Sequence, residues 1–338
     1  MKRNPSWTPS RRQVLIAGGL TGAGLSASAL HLSAQSSDLK TARRFGIAFG
    51  TKVSLKASHT KADILDSALD AAWHEMLGVE AAATLFRVES PICQLNRTGR
   101  LDNPPELLVQ MLKDSLEIAR LTDGAFDPTV QPLWRVYAGA YKQQRYASES
   151  EITAARALIG WRNIEIEDKR IQFTKPGMAL TLNGIAQGFA TGRCLEALAK
   201  HGVENAFLDT GEIGASGKRD DQNAWTAGIA DPRNQNGVIA LARPLNGILA
   251  TSGDYATVWS DDYTHHHILD PQTARSPYLT ASVSVLAQSG GMADGLATAM
   301  MVMGPEKSLS LAQNMAGVEA VIITKSGERF VTSRFPLA

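Results

Sequence analysis

The 338-residue chain is poor in cysteine, in net charge and in long apolar runs. Its two cysteines, Cys93 and Cys194, are too few for a disulfide framework. Each sits beside an apolar neighbour, Ile92 or Leu195, which reads as two buried free thiols, although an oxidising compartment would allow them to pair. Charge nearly cancels, with 34 Lys and Arg against 33 Asp and Glu. Residues 1–34 hold Lys2, Arg3, Arg11 and Arg12 and no acid, so the total of +1 leaves about −3 for the remainder. A weakly acidic body has no electrostatic footprint for nucleic acid. The one apolar run, Ile16 to Leu32, is too short and too rich in Gly and Ser for a comfortable membrane span, so none is expected in the mature protein. No Pro/Ser-rich linker, low-complexity tract or internal repeat divides the chain.

What is present begins with the N-terminus. Ser10-Arg11-Arg12-Gln13-Val14-Leu15 precedes that apolar run, and small residues follow at Ala27-Ser28-Ala29 and Leu32-Ser33-Ala34. This is the layout of an export signal, and the paired arginines mark the twin-arginine type. The reading is a signal over 1–34, with a retained anchor as the alternative, and a periplasmic protein beyond it.

Phe45 to Leu55 alternates enough to be a first strand. A helix follows from about Lys61, with Thr60 as cap, Asp63 at its third position and a stripe from Ile64 to Leu77. Pro104-Pro105 open a second helix that stops before Gly124. Ser148 with Glu151 begins a third, closed by Gly160. Short strands are expected at Asn163–Ile166, Ile171–Thr174 and Ala179–Leu182, then a helix from about Gly184 to Lys200. Further strands are expected at Ala206–Asp209, Trp225–Ile229, Val238–Arg243, Ile248–Thr251, Ala281–Ala287 and Val318–Thr324. Strands and helices mixed without βαβ alternation predict an α+β fold.

Chemistry concentrates in four segments. Asp123 to Val130 is a turn followed by Pro-directed extended chain. Leu182 to Gly188 and Asp209 to Gly217 are Gly-bearing turns, each a plain tight turn or a cradle of N–H groups for phosphate. The fourth, Ala250 to Met303, places Asp294 and Thr298 on one face of an apolar helix. Burying that carboxylate needs a cation, a ligand or strong donors. Oxygen donors suit Mg²⁺, and a helix-terminal Asp bonded to its own backbone is the alternative.

Taken together and in this order, the segments resemble the ApbE family, the FAD:protein FMN transferases, over the mature chain from residue 45 to 338. The resemblance implies an ApbE-like α+β fold of mixed sheets with helices. It places the cofactor in a cleft between a larger part and a smaller β-rich part. It also implies Mg²⁺-dependent cleavage of FAD, joining of FMN through phosphate to a Thr or Ser of a partner flavoprotein, and release of AMP. Gly184, through its carbonyl, with Asp294 and Thr298 would hold the metal. Phe49, Phe86, Ala125, Phe126, Asp127, Thr181, Gln187 and Ile268 would line the FAD site, Phe86 by stacking. His267, in His-Ile-Leu-Asp-Pro, would take the proton of the attacking hydroxyl.

The chain departs from the family pattern at Thr181 and Gln187, where an Asp and a Lys are usual, and at Phe49, where a Met is usual. These changes point to a specialised branch, like the twin-arginine-exported member that serves nitrous oxide respiration. Two other functions stay open: a non-catalytic FAD-binding or delivery protein, and an FAD pyrophosphatase releasing FMN and AMP. Among other features, two of the three histidines His265 to His267 read as solvated, Trp225 as a packed strand residue, and Met300, Met301 and Met303 as core.

Overall fold

The computed structural model describes residues 39–219, 223–234, 236–244 and 246–338; the predicted signal over 1–34 lies outside them. Its strands are β1 (Lys40–Ala48), β2 (Thr51–His59), β3 (Arg100–Asp102), β4 (Ile164–Glu167), β5 (Arg170–Phe173), β6 (Asn205–Asp209) and β7 (Ile213–Ser216). They continue as β8 (Ala227–Ala230), β9 (Val238–Ala242), β10 (Gly247–Gly253), β11 (Thr280–Ala287), β12 (Glu319–Thr324) and β13 (Arg329–Val331). The helices are α1 (Ala62–Ala83), α2 (Pro91–Thr98), α3 (Glu106–Leu121), α4 (Gln131–Lys142), α5 (Glu149–Arg156), α6 (Ala186–Lys200), α7 (Gly290–Met303) and α8 (Pro305–Asn314).

Eight strands form one antiparallel sheet in the order β1-β2-β6-β7-β10-β11-β12-β13. Strand alternation gives this sheet two faces. Val53, Leu55, Ala57, Ile248, Ala250, Val283 and Val285 point to the inner face, where α1, α6 and α7 complete the main core. Leu249, Leu286, Val321 and Ile323 point outward, under the β8–β9 hairpin and Phe335. The small sheets β3-β5-β4 and β8-β9 flank this body, giving a mixed α+β architecture. No helix among the described residues is long and apolar enough to cross a membrane.

The structure corrects several sequence expectations. Phe45 to Leu55 is a hairpin rather than one strand, because Phe49 (φ 51°) and Gly50 (φ 72°) adopt the two left-handed conformations of a tight hairpin turn. The cap of α1 is Lys61 without a side-chain bond, not Thr60. The third helix keeps its predicted capping box between Ser148 and Glu151 but ends at Arg156, before Gly160. Ala179–Leu182 is not a strand. The Asn96 side chain takes both backbone groups of Leu180, and Thr181 N donates to Pro128 O at 2.8 Å, so those groups never join a ladder. The chain after Asp127-Pro128 turns into α4 instead of staying extended. Cys93 and Cys194 are both free thiols, but only Cys194 is buried, which pushes it up to about 12. His266 is fully buried, and His265 and His267 are half-buried, so the solvated pair is not found.

Candidate functional site

Helices α6 and α7 cross through glycine. A Cβ on Gly188 would lie 2.2 Å from Gly290 O and 2.6 Å from Asp294 Cβ, so no side chain fits there. This closeness brings the buried Asp294 carboxylate to the first turn of α6, where its Oδ2 accepts the backbone N–H of Gly188 at 2.9 Å. First-turn N–H groups have no partner within their own helix, and the positive end of the helix favours an anion. Asp294 therefore serves the neighbouring helix. One turn along α7, Thr298 Oγ1 lies 3.1 Å from where a Gly184 Cβ would stand, and Phe126 Cε2 closes the same spot at 3.2 Å. Ser252 on β10 approaches Thr298 with 3.1 Å between hydroxyl oxygens.

Gly184, Asp294, Thr298 and Phe126 are thus brought together from three distant segments. Their oxygen donors comprise one carboxylate and neutral groups. Among the described residues no three His, Cys, Asp or Glu side chains gather as a metal-binding cluster. Such a set fits a hard cation that completes its shell with water and substrate phosphate. Gln187, at the second position of α6, reaches Thr210 O at 3.5 Å and lies against Gly211, whose φ of 100° and crowding exclude a side chain. The neighbouring Glu212 is buried and accepts the Thr251 N–H at 2.8 Å.

Asp127 is the floor of a second feature. Its Oδ1 accepts Thr129 N at 2.8 Å and Thr129 Oγ1 at 2.6 Å, and its Oδ2 accepts Trp161 N at 3.1 Å. Burial raises its pKa against these bonds, which favour the anion. The carboxylate pins two loops together, so what it offers a ligand is the shape of the turn at half-buried Ala125 and buried Phe126. Beside it lies a cleft of about 420 Å³ lined by Gly124, Asp127, Trp161, Arg162, Pro271 and Gln272.

His267 stands just ahead of that cleft wall, followed by buried Ile268. Its Nδ1 faces Thr257 O at 3.2 Å. A carbonyl only accepts, so Nδ1 is the donor in this bond. The loop bearing His267 is held from behind. Fully buried Asp254 accepts both arms of Arg233 at 2.8 Å, and Lys325 Nζ lies 3.6 Å from it. Arg233 stacks on the Tyr263 ring at 4.3 Å, and Lys325 donates to Tyr263 O at 2.6 Å. Burial lowers the Lys325 pKa, opposed by Asp254, whereas the Asp254 hydrogen bonds raise that of Arg233. Within the loop, His266 donates from Nε2 to Pro277 O at 3.1 Å, and desolvation lowers it to about 3.

The remaining anticipated residues are more dispersed. Phe49 forms the β1–β2 turn, with its N–H on Glu80 Oε1 at 3.0 Å. Phe86 projects into solvent, 87% exposed. Thr181 Oγ1 accepts Asn183 N at 3.3 Å. Sequence reasoning missed the roles of Ser252, Arg233 and Lys325. Ser252 and Asp254 lie in the Ala250–Tyr255 stretch already singled out, but nothing in the sequence linked Arg233 or Lys325 to it.

The molecule is an α+β protein whose eight-stranded antiparallel sheet is backed by glycine-crossed helices, with oxygen donors gathered at a helix N-terminus. The ApbE family profile matches residues 49–322. The chain belongs to the ApbE family. It is 31% identical over 233 residues to the FAD:protein FMN transferase of Vibrio cholerae, covering 67% of this chain and 70% of that protein. Its fold is similar to the solved Vibrio cholerae flavin transferase ApbE, with a TM-score of 0.75 at 26% identity over 88% of this chain and 98% of that one. It is also similar to the ApbE protein of Thermotoga maritima, with a TM-score of 0.78 at 28% identity over 87% and 97%.

Proposed function

We propose that this chain is an FAD:protein FMN transferase that moves FMN from FAD to a Thr or Ser of a partner flavoprotein through a phosphoester bond, releasing AMP. The observation that carries the reading is the meeting of Gly184, Asp294 and Thr298 beside the first turn of α6. These residues would hold Mg²⁺, which when bound supplies charge neutralisation on the pyrophosphate. The acceptor hydroxyl oxygen forms a bond to the FMN phosphorus while the bond from that phosphorus to the AMP oxygen breaks. The hydroxyl proton passes to Nε2 of His267, whose Nδ1 is turned to the Thr257 carbonyl. Phe126, Ala125 and the turn pinned by Asp127 form one wall, and Phe49, Phe86 and Ile268 supply apolar surface to the flavin. Thr181 and Gln187 stand where family members carry an acid and a base, so these two positions near the α6 N-terminus are neutral in this chain. The twin-arginine pattern in 1–34 supports export to the periplasm, where the acceptor would be a respiratory or electron-transfer flavoprotein.

One experiment tests the reading. The purified protein is incubated with FAD, Mg²⁺ and an acceptor domain carrying a Thr in a Ser/Thr-Gly-Ala-Thr context. Covalent fluorescent flavin on the acceptor is the expected result. Bound but unaltered FAD would make the protein a carrier, and free FMN with AMP a pyrophosphatase; either outcome overturns the proposal.

A further inference from the structure

The outer face of the large sheet is covered over only part of its width. The β8–β9 hairpin and Phe335 cover it from β7 to β12. Trp225 extends the cover to β6 by packing on Phe207 with ring centroids 5.2 Å apart. Trp225 also takes Lys56 of β2, whose ammonium lies 4.9 Å from the ring centroid, and beyond it the outer face of β1 is exposed among the described residues. Phe45 is 67% exposed and Ile47 is 72% exposed, side by side on the outer face of β1. Both are large apolar residues on a sheet edge that pairs with no further strand among the described residues. Edges of this kind are normally blunted or occupied.

Two further observations say what kind of body fits. The segment from 40 to 61 has six Lys or Arg and no Asp or Glu, in a chain whose part beyond residue 34 is net acidic. Strand register sets two of these bases, both exposed, beside the apolar pair: Lys52 opposite Ile47, and Arg43 two residues before Phe45. The patch is therefore an apolar centre with a basic rim. It is also continuous with the site, because Ile47 lies two residues before Phe49, the hairpin-turn residue assigned above to the flavin.

We propose that the outer face of β1, centred on Phe45 and Ile47 and flanked by Arg43 and Lys52, docks the acceptor flavoprotein through an apolar contact with an acidic rim. This rests on the transferase reading. A protein acceptor must hold a weak hydroxyl nucleophile in line with the phosphorus, and contacts remote from the reacting atoms provide that alignment. Opposite charge on the two rims would steer encounter.

The test compares the full chain with Phe45→Ser/Ile47→Ser and Arg43→Glu/Lys52→Glu variants, using the same Thr-bearing acceptor domain. Acceptor affinity is measured by titration without FAD, so that it is read independently of chemistry. Both variants should bind the acceptor about tenfold or more weakly, as for loss of central contacts or reversal of rim charge. FAD binding, and transfer to a short Thr peptide too small to reach the face, should match wild type. Unchanged acceptor affinity in both variants overturns the proposal. So does loss of pelleting with phosphatidylglycerol vesicles alone, which would assign the face to lipid, or loss of a dimer in sedimentation, which would assign it to a second copy. Amide protection over 43–47 in the enzyme alone, relieved by deleting residues 1–38, would assign it to the chain's own N-terminal segment and overturn it too. A wild type that binds the acceptor yet transfers no flavin defeats the transferase reading and leaves the docking face standing.

Discussion

Asp294 and Gly188 are joined by a 2.9 Å hydrogen bond from the Gly188 N–H to the Asp294 carboxylate. The bond gives Asp294 two duties that substitutions can separate. As an acceptor, the carboxylate satisfies a buried first-turn N–H of α6; as a charge, it is the one anion among the donors proposed for Mg²⁺.

Asp294→Asn keeps an oxygen acceptor for Gly188 and removes the charge. Its thermal midpoint should stay close to wild type, while Mg²⁺-dependent transfer falls below detection. Asp294→Ala should lose transfer and also about 1–3 kcal/mol of stability, the usual consequence of an orphaned buried donor. Urea denaturation beside a flavin-transfer assay checks both. An Asn variant with normal transfer would remove Asp294 from the metal site.

Gly188 and Gly192 lie one turn apart in α6 and should respond in opposite directions to alanine. A Cβ at Gly188 meets Gly290 O at 2.2 Å, whereas a Cβ at Gly192 meets nothing nearer than Gly290 N at 3.6 Å. Gly188→Ala should fail to fold or lose more than about 3 kcal/mol, as overpacking against backbone does. Gly192→Ala should gain up to about 1 kcal/mol from helix propensity. Calorimetric midpoints of the two variants test the helix crossing directly.

His267→Ala should slow covalent transfer by about two to four powers of ten, the usual range for a general base. FAD affinity, measured by flavin fluorescence quenching, should barely change, because the proposed role of the ring is proton transfer and not contact with the flavin. A wild-type rate would leave alignment and charge neutralisation to carry the reaction.

His266 makes stability depend on acid. Its folded pKa of about 3 lies below the ordinary 6.5, so the unfolded chain takes up a proton that the folded chain refuses. The contribution is fully present above 6.5 and is lost as pH falls toward 3, by up to about 1.4 kcal/mol per pH unit. His266→Gln, which can still donate to Pro277 O, should flatten the urea midpoint between pH 6.5 and 5 relative to wild type.

Breaking the Arg233–Asp254 pair should cost less than an isolated buried pair would, because Lys325 stays within 3.6 Å of the carboxylate. Arg233→Ala should lose about 2–4 kcal/mol. It should also loosen the Tyr263 loop, seen as faster amide exchange over 257–267 with slow exchange retained in β11.

Local patterns carried much of this architecture, and contacts between distant segments carried the rest. The capping box at Ser148 and Glu151 and the apolar runs of β11 and β12 are written in consecutive residues, and they were legible. Ala179–Leu182 has strand-like residues, yet Asn96, far away in sequence, occupies the backbone groups that pairing needs. Likewise α4 was hidden because Asp127-Pro128 suggests extended chain, and only the Asp127 bonds to Thr129 and Trp161 end that stretch so early. At the site, helical spacing placed Asp294 and Thr298 on one face. Their meeting with Gly184 and Ser252 depends on a glycine crossing whose reach no single segment discloses.

Strand β10 addresses both faces of the sheet with adjacent hydroxyls. Ser252 points inward to Thr298, and Thr251 points outward to Ser284, 2.8 Å away. Sliding β10 by one residue against β11 would exchange them, since side chains alternate with period two. Such a chain would keep much of its ladder and its spectroscopic strand content, yet present the wrong side of the strand to α7. Flavin bound per folded molecule would therefore count correctly threaded protein where circular dichroism could not tell the two apart.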